Sequence, residues 1–268
     1  MSPAVLPGDL RVATLQWDVS SKDPGHNLAA VERLTEQAAR AGAHLVVLPE
    51  MWSRSFCGPD LPSEAACLPE RLAFLRALAV RHRLWIAGTL PEPGDGIKVF
   101  NALHLIDAEG VIRLHYRKVH LFPLTGEPDH FLPGTHVPEV CQAGPWLIGV
   151  GICYDLRFPE LFRLQARRGA NLFLVPAQFP KPRQEPFRLL GRARALDCQA
   201  AVVCVNRTGE DGRLAFFGGS LACDSFGNIL WEMGPQEGVH VGDIRVDEIV
   251  AHRRDYPFLE SMPLLPKT

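Results

Sequence analysis

A chain of 268 residues with 47% hydrophobic content can bury a sizeable core, and it is read as a single domain over residues 1–268. Its formal net charge is −2 with acidic and basic residues interspersed, so no long-range field gathers nucleic acid or anionic lipid, and neither is expected as a partner. No apolar run approaches the ~18 residues of a membrane span, and the opening MSPAVLPGDL has no leader pattern, so a cytoplasmic location is expected.

Along the chain, strand patterns cover residues 9–17, 43–50, 83–90, 102–118 (a hairpin turning near Glu109 and Gly110), 146–153, 171–178, 200–209, 219–233 and 239–246. Helical patterns fill 27–41, 69–81, 159–168 and 186–198, which makes the class mixed α/β. The Pro-rich stretches 56–69 and 122–145 read as long ordered loops, a common place for function. Two pairs of segments look alike: AGAHLVVLPE with RGANLFLVPA, and IDAEGVI with CDSFGNI. They suggest two related halves, with two sheets packed face to face and helices outside; the competing reading is that helix–Gly–strand units look alike in any α/β protein.

Seven cysteines is an odd count, and Cys153, Cys204 and Cys223 sit in apolar strand patterns, so free thiols are expected. No C-x-x-C or H-E-x-x-H occurs, and no metal or cofactor is expected. His115, His120, His130 and His136 lack metal-ligand spacing and read as surface or packing residues.

The stretch WLIGVGICYDLRFPEL places Cys153 at the end of a buried strand, ahead of a helix starting near Pro159. Amides at that helix start favour a thiolate, whereas a lone Cys is also commonly a small buried hydrophobe. Glu50 ends the apolar HLVVLPE, where it is either a loop residue or a carboxylate with a task. Lys118 ends the hairpin, as a solvated edge residue or a functional cation. Together the three fit one scheme: a thiol nucleophile, a carboxylate base, and an ammonium that with the Tyr154 backbone N–H stabilises an oxyanion. GVGICY lacks the third glycine of a dinucleotide loop, and Asp155 stands where the nucleophile elbow of α/β-hydrolases needs glycine.

Glu, Lys and Cys in that order, within VVLPEMW, YRKVHLF and GICYDLRFPEL, resemble the carbon-nitrogen hydrolase (nitrilase) superfamily. The blocks EPDHFLPG, GRARALDCQ, VNRTGEDG and GGSLACDSFGNIL extend the resemblance over nearly the whole chain. It implies a four-layer α-β-β-α sandwich with two pseudo-symmetric halves. It also implies Cys153 as nucleophile, Glu50 as general base, Lys118 as oxyanion stabiliser, Glu127 as a second carboxylate, and a homodimer or larger homo-oligomer. CYDLRFPE is most similar to the omega-amidase branch, implying a small-molecule amide such as 2-oxoglutaramate as substrate. Amidases of deaminated glutathione or of N-carbamoyl amines, and an inactive binding subunit of the same fold, are the alternatives. Gln178 and Phe179 depart from the branch's common Asn-Trp, and Cys198 stands where Asn often follows the acidic residue, leaving the pocket shape open. With Tyr154 they are the expected substrate contacts; Arg183 and Lys181 either hold a substrate carboxylate or are solvated loop charges.

Overall fold

The computed structural model of the protein describes residues 5–56, 60–212 and 214–261. The first half runs β1 (Asp9–Gln16), α1 (Pro24–Arg40), β2 (Leu45–Val47), α2 (Leu61–Ala66), α3 (Leu68–His82), β3 (Trp85–Pro93) and a hairpin of β4 (Val99–Ile106) and β5 (Ile112–Arg117). A connecting segment carries α4 (Glu127–His130) and β6 (Cys141–Ala143). The second half runs β7 (Trp146–Val150), α5 (Pro159–Arg167), β8 (Leu172–Ala177), α6 (Gln184–Cys198) and β9 (Ala201–Asn206). The hairpin β10 (Thr208–Asp211) and β11 (Leu214–Phe217) precedes a second one, β12 (Leu221–Cys223) and β13 (Ile229–Glu232). β14 (Gly238–Arg245) and α7 (Val246–Asp255) follow.

The sheet orders, β14-β1-β2-β3-β4-β5 and β6-β7-β8-β9-β12-β13, match strand for strand. Each has three parallel central strands, an antiparallel hairpin on one side and a lone antiparallel strand on the other. Small features repeat too. His44 accepts a hydrogen bond from the Arg11 amide, as Asn171 does from Leu147. In the two hairpin turns, Asp107 and Asp224 each accept from two backbone amides, ahead of Gly110 and Gly227 at φ 79° and 77°, where a Cβ is disfavoured. The look-alike segments therefore mark a real duplication, and the two-halves reading stands.

Side chains alternate across a strand, and this sorts the layers. Val12, Val47, Ala87 and Leu105 share one core with Ile148, Val150, Leu172 and Val203 of the other sheet. Their neighbours of opposite parity, Ala13, Val46, Ile86 and Ile106, pack with Val31 and Leu34 of α1 and Leu75 and Leu78 of α3. On the outer face of the second sheet, Phe162 of α5 packs on Phe173 of β8, and Gly191 of α6 lies against Cys204 of β9. The result is the expected four-layer α-β-β-α sandwich.

Several boundaries differ for local reasons. α1 starts three residues earlier than its apolar period suggests, because the Asp23 side chain accepts from the His26 amide and Pro24 takes the first turn. The strand expected over 200–209 breaks at Arg207, whose buried guanidinium bonds Asp18 and Ser55. The stretches 56–69 and 122–145, expected as loops, contain α2, α4 and β6. Six cysteines are free thiols, as expected, and Cys57 lies outside the described residues. Among the described residues no helix is long and apolar enough to cross a membrane.

Candidate active site

Glu50 stands three residues past the end of the short β2, Lys118 directly follows β5, and Cys153 stands three residues beyond β7, so the fold delivers all three to the same ends of the facing sheets. Lys118 Nζ donates to Glu50 Oε1 at 2.8 Å and to Glu127 Oε1 at 2.6 Å. All three side chains are buried. Glu50 is held at both oxygens: Asn101 Nδ2 donates to Oε1 at 2.7 Å, and the Gln178 amide to Oε2 at 2.9 Å. The Gln178 side chain is spent in the same cause, donating to the Glu50 carbonyl and accepting from Ser55.

Burial opposes the Lys118 charge, but Glu127, Glu50 and Cys153 outweigh it and hold the ammonium well above lysine's usual range. Burial raises the Glu127 pKa, Lys118 opposes this, and the nearby Glu50 adds to it. Burial also pushes the Cys153 thiol well above its ordinary value; Glu50 and Glu127 add to this, while Lys118 and the Gln178 amide pull the other way. The expectation that a helix start favours a resting thiolate is thereby corrected. A 3-10 turn over Cys153–Arg157 separates the thiol from α5, and desolvation dominates. Glu50 and Glu127 are the carboxylates close enough to act on this thiol.

The strand expected to reach Cys153 stops at Val150. Cys153 itself has φ 49°, a left-handed conformation that costs a non-glycine residue on the order of 1 kcal/mol or more. Asp155 accounts for how the turn persists. Its carboxylate accepts from the Ile152 amide (2.9 Å) and the Tyr116 hydroxyl (2.8 Å), and from the His120 amide (3.2 Å). His120 Nδ1 also lies 2.7 Å from Asp155 Oδ1. This carboxylate ties the Cys153 turn to the chain just before and after Lys118, a task glycine cannot perform. The glycines of GVGIC serve packing: a Cβ on Gly149 would meet the Phe173 ring at 2.5 Å, and one on Gly151 the Phe162 ring at 2.6 Å.

Cys153, Glu50 and Glu127 line a narrow cleft together with Tyr154, Gln178, Phe179 and Arg183. Lys118 is fully buried, its ammonium bonded to the two carboxylates that line the cleft and close enough to Cys153 to interact with it. Lys181 is exposed and borders a neighbouring groove instead. Sequence reasoning missed Asn101, and it missed Phe56, Phe122, Thr125, Arg157 and Pro180 in the cleft lining. Arg183 lies over the Phe122 ring, 4.6 Å from its centroid. A polar Asn101 inside the apolar run VFNALHLI was the one visible signal among these.

The family model of carbon-nitrogen hydrolases matches residues 11–254. A 2-oxoglutaramate amidase of Bacillus subtilis is 32% identical, over 94% of this chain and 96% of its own. The mouse omega-amidase NIT2 is 30% identical, over 94% of each chain. Among solved structures, a mutant amidase from Nesterenkonia sp. AN1 has a TM-score of 0.83 at 27% identity, covering 96% of this chain and 99% of that one. It carries the acetamide moiety of fluoroacetamide added covalently at its active-site cysteine.

Proposed function

The chain belongs to the carbon-nitrogen hydrolase family and is an amidase-type hydrolase, and from that premise we propose that Cys153 attacks the side-chain amide of a small carboxylate-bearing substrate, such as 2-oxoglutaramate. The observation that carries this reading is the buried Glu50–Lys118–Glu127 cluster beside Cys153 in one cleft. Glu50 takes the thiol proton as Sγ bonds to the amide carbon. Two of the three Lys118 donors are occupied by carboxylates, and the third, with the Tyr154 backbone N–H, serves the oxyanion. Collapse breaks the C–N bond, Glu50 returns the proton to nitrogen, and ammonia leaves. Water then gives a proton to Glu50 and attacks the thioester, and breaking the C–S bond releases the acid and restores the thiol. Glu127 keeps Lys118 charged and in place.

Arg183 supports the carboxylate preference, since it lines the cleft and Phe122 fixes its guanidinium. Losing one charge-assisted contact costs about 1.5 to 3 kcal/mol, roughly ten- to hundredfold in kcat/KM. Arg183→Ala is therefore expected to lower kcat/KM by that factor for 2-oxoglutaramate and far less for a neutral amide of similar length, with Lys181→Ala near wild type on both. Equal losses on the two amides would refute the carboxylate clamp. An ammonia-release screen over amides of dicarboxylic and 2-oxo acids, deaminated glutathione and N-carbamoyl amines then ranks the acyl group.

Asp155 acts as a positioning residue. Asp155→Ala leaves the Tyr116 hydroxyl and the Ile152 and His120 amides without their acceptor, at about 1–3 kcal/mol for each buried group. Thermal unfolding should shift down by several degrees, and steady-state kinetics should show kcat down at least tenfold with KM changed less. Wild-type kcat in this variant would remove Asp155 from the account. Exposed Leu189 and Leu196 on α6 support the expected homo-oligomer, and sedimentation analysis measures its size.

A further inference from the structure

Strand pairing assembles a second group of titratable side chains away from the cleft. His104 of β4 and His115 of β5 are direct partners in the antiparallel register, with ring centroids 5.1 Å apart. Glu92 of β3 reaches the same place, its Oε2 lying 2.6 Å from His115 Nε2. One ligand-capable atom from each of the three lies within 4.8 Å of the others. No ligand spacing is visible along the sequence because the three residues come from three separate strands and meet only through sheet register.

His104 is only 3% exposed, and its Nδ1 makes no hydrogen bond of good geometry, although the Ala102 backbone lies within reach of the ring. Buried polar atoms are nearly always satisfied, so an orphaned imidazole nitrogen beside a carboxylate and a second imidazole calls for an explanation. A neutral imidazole has a lone pair to offer a metal ion, and the geometry sets that of His104 beside His115 and Glu92. Burial works against the Glu92 carboxylate, but hydrogen bonds from His115 and Arg117 outweigh it and bring its pKa down to about 2. The group therefore offers two imidazoles and an anion, a donor set suited to zinc-like ions.

We propose that Glu92, His104 and His115 bind a divalent transition metal ion of the zinc class on the outer face of the first sheet. Bonds of about 2.0–2.2 Å at tetrahedral angles set ligand atoms roughly 3.3–3.5 Å apart. The ion enters the 2.6 Å contact between Glu92 and His115, which opens by less than about 1 Å, while the wider 4.8 Å span closes by somewhat more. His115 is free to turn because its side chain is 43% exposed, and Arg117 goes on holding the other Glu92 oxygen. Water completes the coordination. Arg76 and Arg117 are the cations that face the group, and their repulsion lowers its affinity for a cation. β4 carries Asn101 and β5 runs directly into Lys118, and both side chains bond Glu50, so the ion also clamps the register of the two strands that position them.

The test is calorimetric titration of the whole protein with zinc chloride in a non-chelating buffer. One equivalent is expected in wild type and in Cys153→Ser, none in His115→Ala, and at least tenfold weaker binding in Glu92→Gln. Cobalt(II) supplies an independent readout through the visible absorption of a tetrahedral N/O site, again lost in His115→Ala. His115→Ala loses the contact with Glu92, which Arg117 keeps holding, so the variant should melt slightly below wild type without metal, and only wild type should gain stability when zinc is added. Zinc bound equally by His115→Ala, binding lost only in Cys153→Ser, or no binding to wild type at ~100 µM zinc would each overturn the proposal.

Discussion

Replacing Cys153 with alanine is expected to lower amide turnover by about 10⁴-fold or more while the fold persists. The size follows from the role: without Sγ no covalent intermediate forms, and the remaining Lys118 and backbone donors have no attacking atom to assist. The structural cost is small, since the residue is an ordinary buried side chain once its chemistry is set aside, and alanine also accepts the turn at φ 49° no worse than cysteine. Steady-state ammonia release together with circular dichroism separates the two effects. Substantial activity in a folded Cys153→Ala variant would contradict the nucleophile assignment.

Lys118 carries the second large effect. Removing its ammonium leaves Glu50 and Glu127 facing each other in a buried site with no cation between them. Breaking such a pair costs about 3–5 kcal/mol, and losing an oxyanion donor alone costs about 10²–10³ in kcat. Lys118→Ala is therefore expected to lose at least ~10³-fold in kcat, with reduced stability. Lys118→Arg keeps the charge but displaces it by about 1 Å or more, for roughly a 100-fold loss. Both are read from kcat at saturating substrate, after thermal unfolding has shown that each variant is folded. Near-normal kcat in a folded Lys118→Ala protein would exclude its part in the reaction.

The sequence exposed the parts of this site that break a local pattern. Glu50 and Lys118 end apolar strands where a charge needs a reason, and the structure brings them within 2.8 Å of each other. Glu127, found through EPDHFLPG, completes the cluster. What stayed hidden depends on contacts between distant segments. Asn101 holds Glu50 from across the sheet, Asp155 is occupied through Tyr116 and His120, and Gln178 turns its side chain to Glu50 rather than to the open cleft. Loop charges were the least legible: Lys181 and Arg183 are two residues apart, yet only Arg183 lines the cleft. Elements were missed for similar reasons. β6 has three residues inside a Pro-rich stretch, the 200–209 pattern merges the start of β10 with β9 across the buried Arg207, and β11 lies between the 200–209 and 219–233 patterns, in neither of them. α7 carried visible signals, acidic Asp247 and Glu248 at its start and basic Arg253 and Arg254 at its end, but they directly follow a strand pattern and were masked by it.

The central claim is a thioacyl enzyme on Cys153, and the most direct measurement is intact-protein mass spectrometry after rapid acid quench during turnover of 2-oxoglutaramate, followed by peptide mapping. The account predicts a mass increase equal to the acyl group, confined to the peptide containing Cys153 and absent from Cys153→Ala. An adduct mapped to another residue would contradict it, as would unchanged turnover in Cys153→Ala with no adduct.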